Sequence, residues 1–304
     1  MAPKTWLITG CTSGFGADFV REALKRGDKA IATGRGDISR LSALKEAGAY
    51  VYTLDVTSPS ETIDATVAKM IEEVGDIDVL VNNAGYLQMG LVGELELQAW
   101  RDIFETNFFG SLKMTQALLP HFRSRKAGDI VFIGSIYGLT GISGGVSYSA
   151  TKFALEGLHD ALLQEGKPFN IRSLMFEPGV CRTEVSKNAT QFLGTAPKKE
   201  VEELAPMRNF LTALNAALQG NEVGDPKKVV KVMVDFVRGE GVAEGKEVPD
   251  RLPIGSDALI AVQPKQDAIR KQWEEWKDVI LSTDCDNVAG REEPEYIKMI
   301  RSVS

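Results

Sequence analysis

A parallel α/β fold, with helices on both faces of the sheet, is predicted by three observations on this 304-residue chain. Short apolar runs alternate with longer stretches of helical period. The first such run, Lys4-Thr-Trp-Leu-Ile-Thr9, passes directly into a glycine-rich turn, Gly10-Cys-Thr-Ser-Gly14-Phe-Gly16. Polar and small residues then recur just beyond successive strand ends, where ligands gather in folds of this kind.

In chain order, the helix after the first turn is read from the periodic run Phe19 to Leu24. Lys29-Ala-Ile-Ala-Thr33 is the second strand, followed by a helical stretch to Glu46 and a third strand, Tyr50-Val-Tyr-Thr-Leu54. A helix over Ser60–Glu73 leads into Ile77-Asp-Val-Leu-Val81. A long helix from Leu97 through Thr115 precedes the fifth strand, Asp129-Ile-Val-Phe-Ile133, and Ile171-Arg-Ser-Leu-Met-Phe176 is the sixth. Pro226 to Val237 reads as a helix with Val229, Val230, Met233 and Val237 inward. Arg251 to Ile254 is a last short strand, and the amphipathic helix after it carries Ile269, Trp273, Trp276 and Ile280, expected to pack.

Composition limits the function. The net charge of −7 gives nucleic acid no general electrostatic reason to bind. Three scattered cysteines suggest neither a disulfide framework nor a metal knuckle, and two histidines, His121 and His159, do not suit a metal site. No apolar run approaches the roughly 20 residues needed to span a bilayer. The first strand begins too early to leave room for a secretory segment, so the expected location is cytoplasmic.

The glycine turn would let backbone approach a pyrophosphate at a helix N-terminus, with Gly10, Thr12, Ser13, Gly14, Phe15 and Gly16 around it. Its spacing, GxxxGxG, is neither the GxGxxG dinucleotide fingerprint nor a Walker-type loop, and glycine clusters also serve plain turns. Arg35, beyond the second strand, suits a ribose 2′-phosphate, although Asp37 is placed either to bind a ribose or to neutralise it. Asp55 offers an acceptor to an adenine amine and Val56 a surface for the ring. The small residues of Asn82-Asn83-Ala84-Gly85 permit close approach, and an asparagine there can tie neighbouring loops. Tyr148 and Lys152 stand four residues apart, one face of a helix, where an ammonium would favour the phenolate. Ser135 precedes Tyr148 by 13 residues, enough chain to return to a shared pocket, and Asn107 lies on the preceding long helix.

Together, Thr9-Gly10-Cys-Thr-Ser-Gly14-Phe-Gly16, Asn82-Asn-Ala-Gly85, Asn107, Ser135, Tyr148-Ser-Ala-Thr-Lys152 and Pro178-Gly179 resemble the short-chain dehydrogenase/reductase family. The resemblance covers roughly residues 5 to 185 and implies a Rossmann-like doubly wound parallel sheet with a C-terminal extension. It implies catalysis by Asn107, Ser135, Tyr148 and Lys152: Tyr148 exchanges a proton with substrate oxygen and Ser135 orients the carbonyl. Lys152 supports the phenol and holds a nicotinamide ribose, and Asn107 holds a water continuing the proton path. Pro178, Gly179, the Val180 backbone and Thr183 would meet the nicotinamide, with a helix N-cap as the other reading of Thr183. The cofactor implied is NADP(H), with NAD(H) as the alternative.

The 28-residue step from Asn107 to Ser135 and the long segment after Pro178 are similar to carbonyl reductases and hydroxysteroid dehydrogenases. The expected substrate is thus a hydrophobic small-molecule carbonyl or alcohol. Ser135, Tyr137 and Tyr148 would contact it, together with Phe192, Met207, Phe210 and Leu211 from a lid over residues 184–222; a structural subdomain is the other reading of that segment. One catalytic domain is expected over 1–282 and an appendage over 283–304. The family implies a homodimer or a tetramer. Two other functions fit the fold: an alcohol or hydroxysteroid dehydrogenase working in oxidation, and a noncatalytic nucleotide-sensing scaffold.

Overall fold

A computed structural model describes residues 2–183, 199–285 and 294–303. Seven strands form one fully parallel sheet in the order β3-β2-β1-β4-β5-β6-β7. They are β1 Thr5–Ile8, β2 Lys29–Gly34, β3 Tyr50–Thr53, β4 Val79–Asn82, β5 Gly128–Ile133, β6 Ile171–Pro178 and β7 Arg251–Ile254. The order reverses at β1, which pairs with β2 on one side and β4 on the other. A crevice therefore opens beyond the carboxyl ends of these strands, at the topological switch point.

The helices are α1 Gly14–Lys25, α2 Ser42–Glu46, α3 Ser60–Val74, α4 Leu97–Phe104, α5 Gly110–Arg125, α6 Ile136–Leu139 and α7 Val146–Gly166. Then come α8 Ala205–Leu218, α9 Pro226–Arg238, α10 Ser256–Glu275, α11 Lys277–Leu281 and α12 Glu295–Val303. Side chains alternate across the strands, so β1 sends Trp6 and Ile8 to one face and Leu7 to the other. The first face is covered by Phe19 and Val20 of α1 and by Val230 and Met233 of α9. The second is covered by Ile63 and Val67 of α3, Met114 and Leu118 of α5, and Leu155 of α7. Burying both faces explains the near-continuous apolar strands.

Three elements differ from the sequence reading. The expected helix up to Glu46 is a 3-10 turn, Ile38–Leu41, followed by the short α2, because Asp37 caps the turn by accepting from Ser39 N. The long helix from Leu97 is interrupted by a π-helical turn, Glu105–Phe109. An extra residue in that turn swings Asn107 inward, a device common at functional sites. The third difference is at the C-terminal end. Only Ala258 and Val262 of α10 are buried, whereas Trp273, Trp276 and Ile280 are 66%, 59% and 50% exposed. The helix leaves the body after Lys265, which donates to Leu139 O, so its aromatic residues have no core to enter. Among the described residues no helix is long and apolar enough to cross a membrane.

Candidate active site

Every strand from β1 to β6 delivers residues to one cavity of about 410 Å³ at the switch point. Its volume lies within the ~300–1,000 Å³ range of small-molecule sites. Gly10, Thr12, Ser13, Gly14 and Phe15 line one end, where α1 begins. Gly10 and Gly14 have φ of 71° and 56°, the left-handed region that glycine enters without strain. Gly16 does not line the cavity, contrary to expectation. A Cβ there would collide with the Gly10 carbonyl and stand 2.7 Å from Asn83 Nδ2, so this glycine lets α1 close onto the loop.

The glycine turn is stitched to the β4 loop. Thr9 Oγ1 accepts from Asn83 N and Ala84 N, both at 3.0 Å, while Asn83 Nδ2 donates to Thr9 O at 2.8 Å. Asn83, Ala84 and Gly85 line the cavity beside Asp55 and Val56. One oxygen of Asp55 accepts from both Thr57 N and Thr57 Oγ1, which turns its chain away from β3.

Arg35 lies on the cavity wall as expected, joined by Arg40, which sequence reasoning missed. Asp37 is spent on Ser39, accepting from its backbone N at 2.9 Å and its Oγ at 2.7 Å. Asp37 is therefore a cap, and two guanidiniums define the charge at this end. The folding of the 3-10 turn that brings Arg40 round depends on that cap, a signal available in the sequence only once the turn is known.

At the other end stand Ser135, Tyr137, Tyr148 and Lys152. Ser135 caps α6, its Oγ accepting from Tyr137 N at 3.2 Å. The Tyr137 ring meets that of Tyr148 edge-on, with centroids 6.4 Å apart. Burial pushes the Tyr148 phenol up to about 12, with the Ser135 hydrogen bond acting in the opposite direction. Lys152 is buried, donates from Nζ to Ile133 O at 2.6 Å, and lies 5.5 Å from the Tyr148 ring centroid. Burial lowers it to about 8, opposed by the Glu156 carboxylate. Burial is the largest influence on the Tyr148 phenol, and it favours the protonated form.

Asn107 is not on the cavity wall. Its Oδ1 accepts from Tyr86 N at 3.0 Å, and its Nδ2 donates to Tyr86 O at 3.0 Å and Thr151 Oγ1 at 3.2 Å. The side chain clamps the β4 loop to α7.

Pro178, Gly179, Val180 and Thr183 line the cavity beyond β6. The Val180 backbone is already committed, its N donating to Asp257 Oδ2 at 2.7 Å and its O accepting from Gly224 N at 2.9 Å. These bonds tie the Val180 loop to Asp257, a support the sequence concealed, 77 residues away.

The expected substrate contacts from the lid do not line the cavity. Leu211 is buried against Gly144, Met207 Sδ lies 3.5 Å from Ser143 Oγ, and Phe210 is 59% exposed. Helix α8 braces the Ser135–Tyr148 connection from outside and is anchored by Arg208 on Glu94. Phe192 lies outside the described residues. Tyr86, Leu87, Ile136 and Cys181 are unforeseen wall residues that add aromatic and apolar surface to the cavity.

A parallel sheet with a glycine-lined pocket at its switch point and a Tyr–Lys pair opposite defines a nucleotide-binding oxidoreductase frame. The short chain dehydrogenase family description matches residues 4–194, and the chain belongs to that family. Retinol dehydrogenase 8 of Homo sapiens is 36% identical over 251 residues, covering 78% of each chain. A short-chain dehydrogenase from Streptomyces avermitilis is 33% identical with a TM-score of 0.79, covering 94% of this chain and all of that one. An actinorhodin polyketide ketoreductase variant solved with NADPH is 30% identical with a TM-score of 0.68, covering 84% of this chain and 97% of that one.

Proposed function

We propose that this protein is an NADPH-dependent reductase that converts a hydrophobic ketone or aldehyde into an alcohol. The observation that carries the reading is a neutral phenol, Tyr148, beside Ser135 and buried Lys152, in the same cavity as the glycine turn and two arginines. The residues suit NADP(H): amides of the glycine turn at the start of α1 for the pyrophosphate, Arg35 and Arg40 for a 2′-phosphate, and Gly179, without a side chain, on the wall beside the catalytic end. Lys152 and the Pro178–Thr183 segment would hold the nicotinamide half. When bound, the cofactor supplies the hydride.

The chain's own residues do the rest. Ser135 Oγ donates to the carbonyl oxygen and fixes it toward Tyr148. As negative charge grows on that oxygen, the Tyr148 O–H transfers its proton there, so the carbonyl carbon gains the hydride and the oxygen the proton. Lys152, held by Ile133 O, lowers the cost of the resulting phenolate. Asn107 keeps the β4 loop and α7 in register, so it is a positioning residue. Tyr137, Tyr86, Leu87 and Ile136 exclude water and favour an apolar substrate.

The likeness to a retinol dehydrogenase supports a second direction, in which Tyr148 as phenolate removes the proton of an alcohol. The decisive measurement follows nicotinamide absorbance against panels of apolar ketones, aldehydes and alcohols with NADPH, NADH and their oxidised forms. Saturable cofactor binding without turnover on any panel would end the enzymatic reading.

A further inference from the structure

Behind Lys152 lies a group of buried charges that the proposed mechanism does not use. Glu156 is one helical turn beyond Lys152 on α7, and Glu177 is the β6 residue before Pro178. Both are buried, Glu177 completely. Each carboxyl feels the charge of the other, and two ionised carboxylates are acceptors only, so they repel unless one of them holds a proton.

One cation serves both acids. Arg251 of β7 donates from Nε to Glu156 Oε2 at 2.9 Å and stands 3.2 Å from Glu177 Oε1. Its other arm reaches Asp160 at 2.8 Å. Glu156 Oε1 and both Glu177 oxygens otherwise lack partners. Glu156 Oε1 also lies where side chains at Gly134 or Gly138 would press on it, 3.4 and 3.0 Å from their Cβ positions. These two glycines flank Ser135. The remaining ionisable neighbours are His159 of α7, held by Ser173 Oγ at 2.8 Å, and Asp250 at the entry to β7.

We propose that Glu156 and Glu177 share one buried proton across Arg251, and that this pair is the electrostatic support keeping Lys152 charged. With the proton in place the pair presents a single negative charge to Arg251, whose other arm holds Asp160. If the shared proton leaves, the added negative charge strengthens the hold of Lys152 on its own proton. The two sites thus lose protons in sequence rather than together, which extends the range over which the ammonium survives. Burial pushes both carboxyls up, Glu177 to about 8.

The inference rests on the catalytic reading of Lys152, and two measurements separate their failures. Infrared difference spectroscopy on the full chain at neutral pH should show the carbonyl band of a protonated carboxylic acid that is lost in Glu177→Gln. This readout needs no turnover, and absence of the band, or its persistence unchanged in Glu177→Gln and Glu156→Gln, overturns the shared proton.

The second measurement is the pH profile of carbonyl reduction. Glu177→Gln keeps a hydrogen-bond donor to Glu156 and resembles the singly protonated pair, so near-normal activity is expected at neutral pH. Its alkaline limb should move down by about one pH unit, since a neighbouring buried charge is worth that much at moderate effective dielectric. Glu156→Gln should shift it in the same direction. An unmoved limb in active, folded Glu177→Gln overturns the support role, whereas full activity of Lys152→Met would overturn the catalytic reading itself.

Discussion

The two ends of the cavity are built by opposite means. The end beside α1 is made of backbone and small residues: Gly10 and Gly14 in left-handed conformations, and Thr9 and Asn83 joining two loops through main-chain groups. The end beside α7 is made of polar side chains: Ser135, Tyr148 and Lys152, with Asn107, Glu156, Glu177 and Arg251 behind them. A backbone cradle presents its donors without having to ionise anything. A polar cluster under the sheet end must hold particular protonation states against desolvation, and it is there that the large shifts of Tyr148 and Lys152 occur.

Substitutions at the two ends should therefore fail differently. The largest effect is expected from Tyr148→Phe, which removes the transferable proton: turnover should fall about 10³-fold while dinucleotide binding, followed by fluorescence titration, stays within about threefold of the parent. If binding fell as far as turnover, the separation of cradle from chemistry would be lost.

His159 offers a stability test of the polar end. Burial lowers it to about 4 from an ordinary 6.5, so the unfolded chain binds its proton more readily. Its contribution is intact above pH 6.5 and is lost as pH falls from 6.5 toward 4, amounting to about 3 kcal/mol. Urea unfolding across that window should show the slope, and His159→Gln should flatten it.

At the cradle end, Gly16→Ala forces a Cβ into the Gly10 carbonyl and should cost about 2 kcal/mol in stability. Dinucleotide binding should weaken with it, a coupling that thermal unfolding and titration can check together. Smaller still, Arg35→Ala and Arg40→Ala should each raise the NADPH KM by about tenfold and leave that for NADH nearly unchanged. An equal effect on both cofactors would place the two arginines away from a 2′-phosphate.

The same division governs what could be read from residues alone. Strand and helix order was legible because two buried faces impose apolar runs, and the Tyr148–Lys152 spacing is local to one helix. Gly10 to Phe15 and Asn83 to Gly85 were equally accessible, each being a short run at a strand end. What escaped was nonlocal: Asp257 holding Val180, Arg251 bridging two acids, and Arg40 brought round by the Asp37 cap. Asn107 was found by its position, but its work as a clamp depends on a π-helical turn that no periodicity announces. The aromatic residues of α10 misled because an amphipathic pattern shows which face is apolar and not whether anything covers it.

That uncovered helix has an optical consequence. Of the four tryptophans, Trp6 is fully buried in the first-face core and Trp100 half-buried, whereas Trp273 of α10 and Trp276 just beyond it stand in water. Emission from the outer pair is open to soluble quenchers, that from Trp6 is shielded and that from Trp100 falls between, so quenching separates the outer pair from Trp6. Anything that settles on the C-terminal arm would silence the first without disturbing the second.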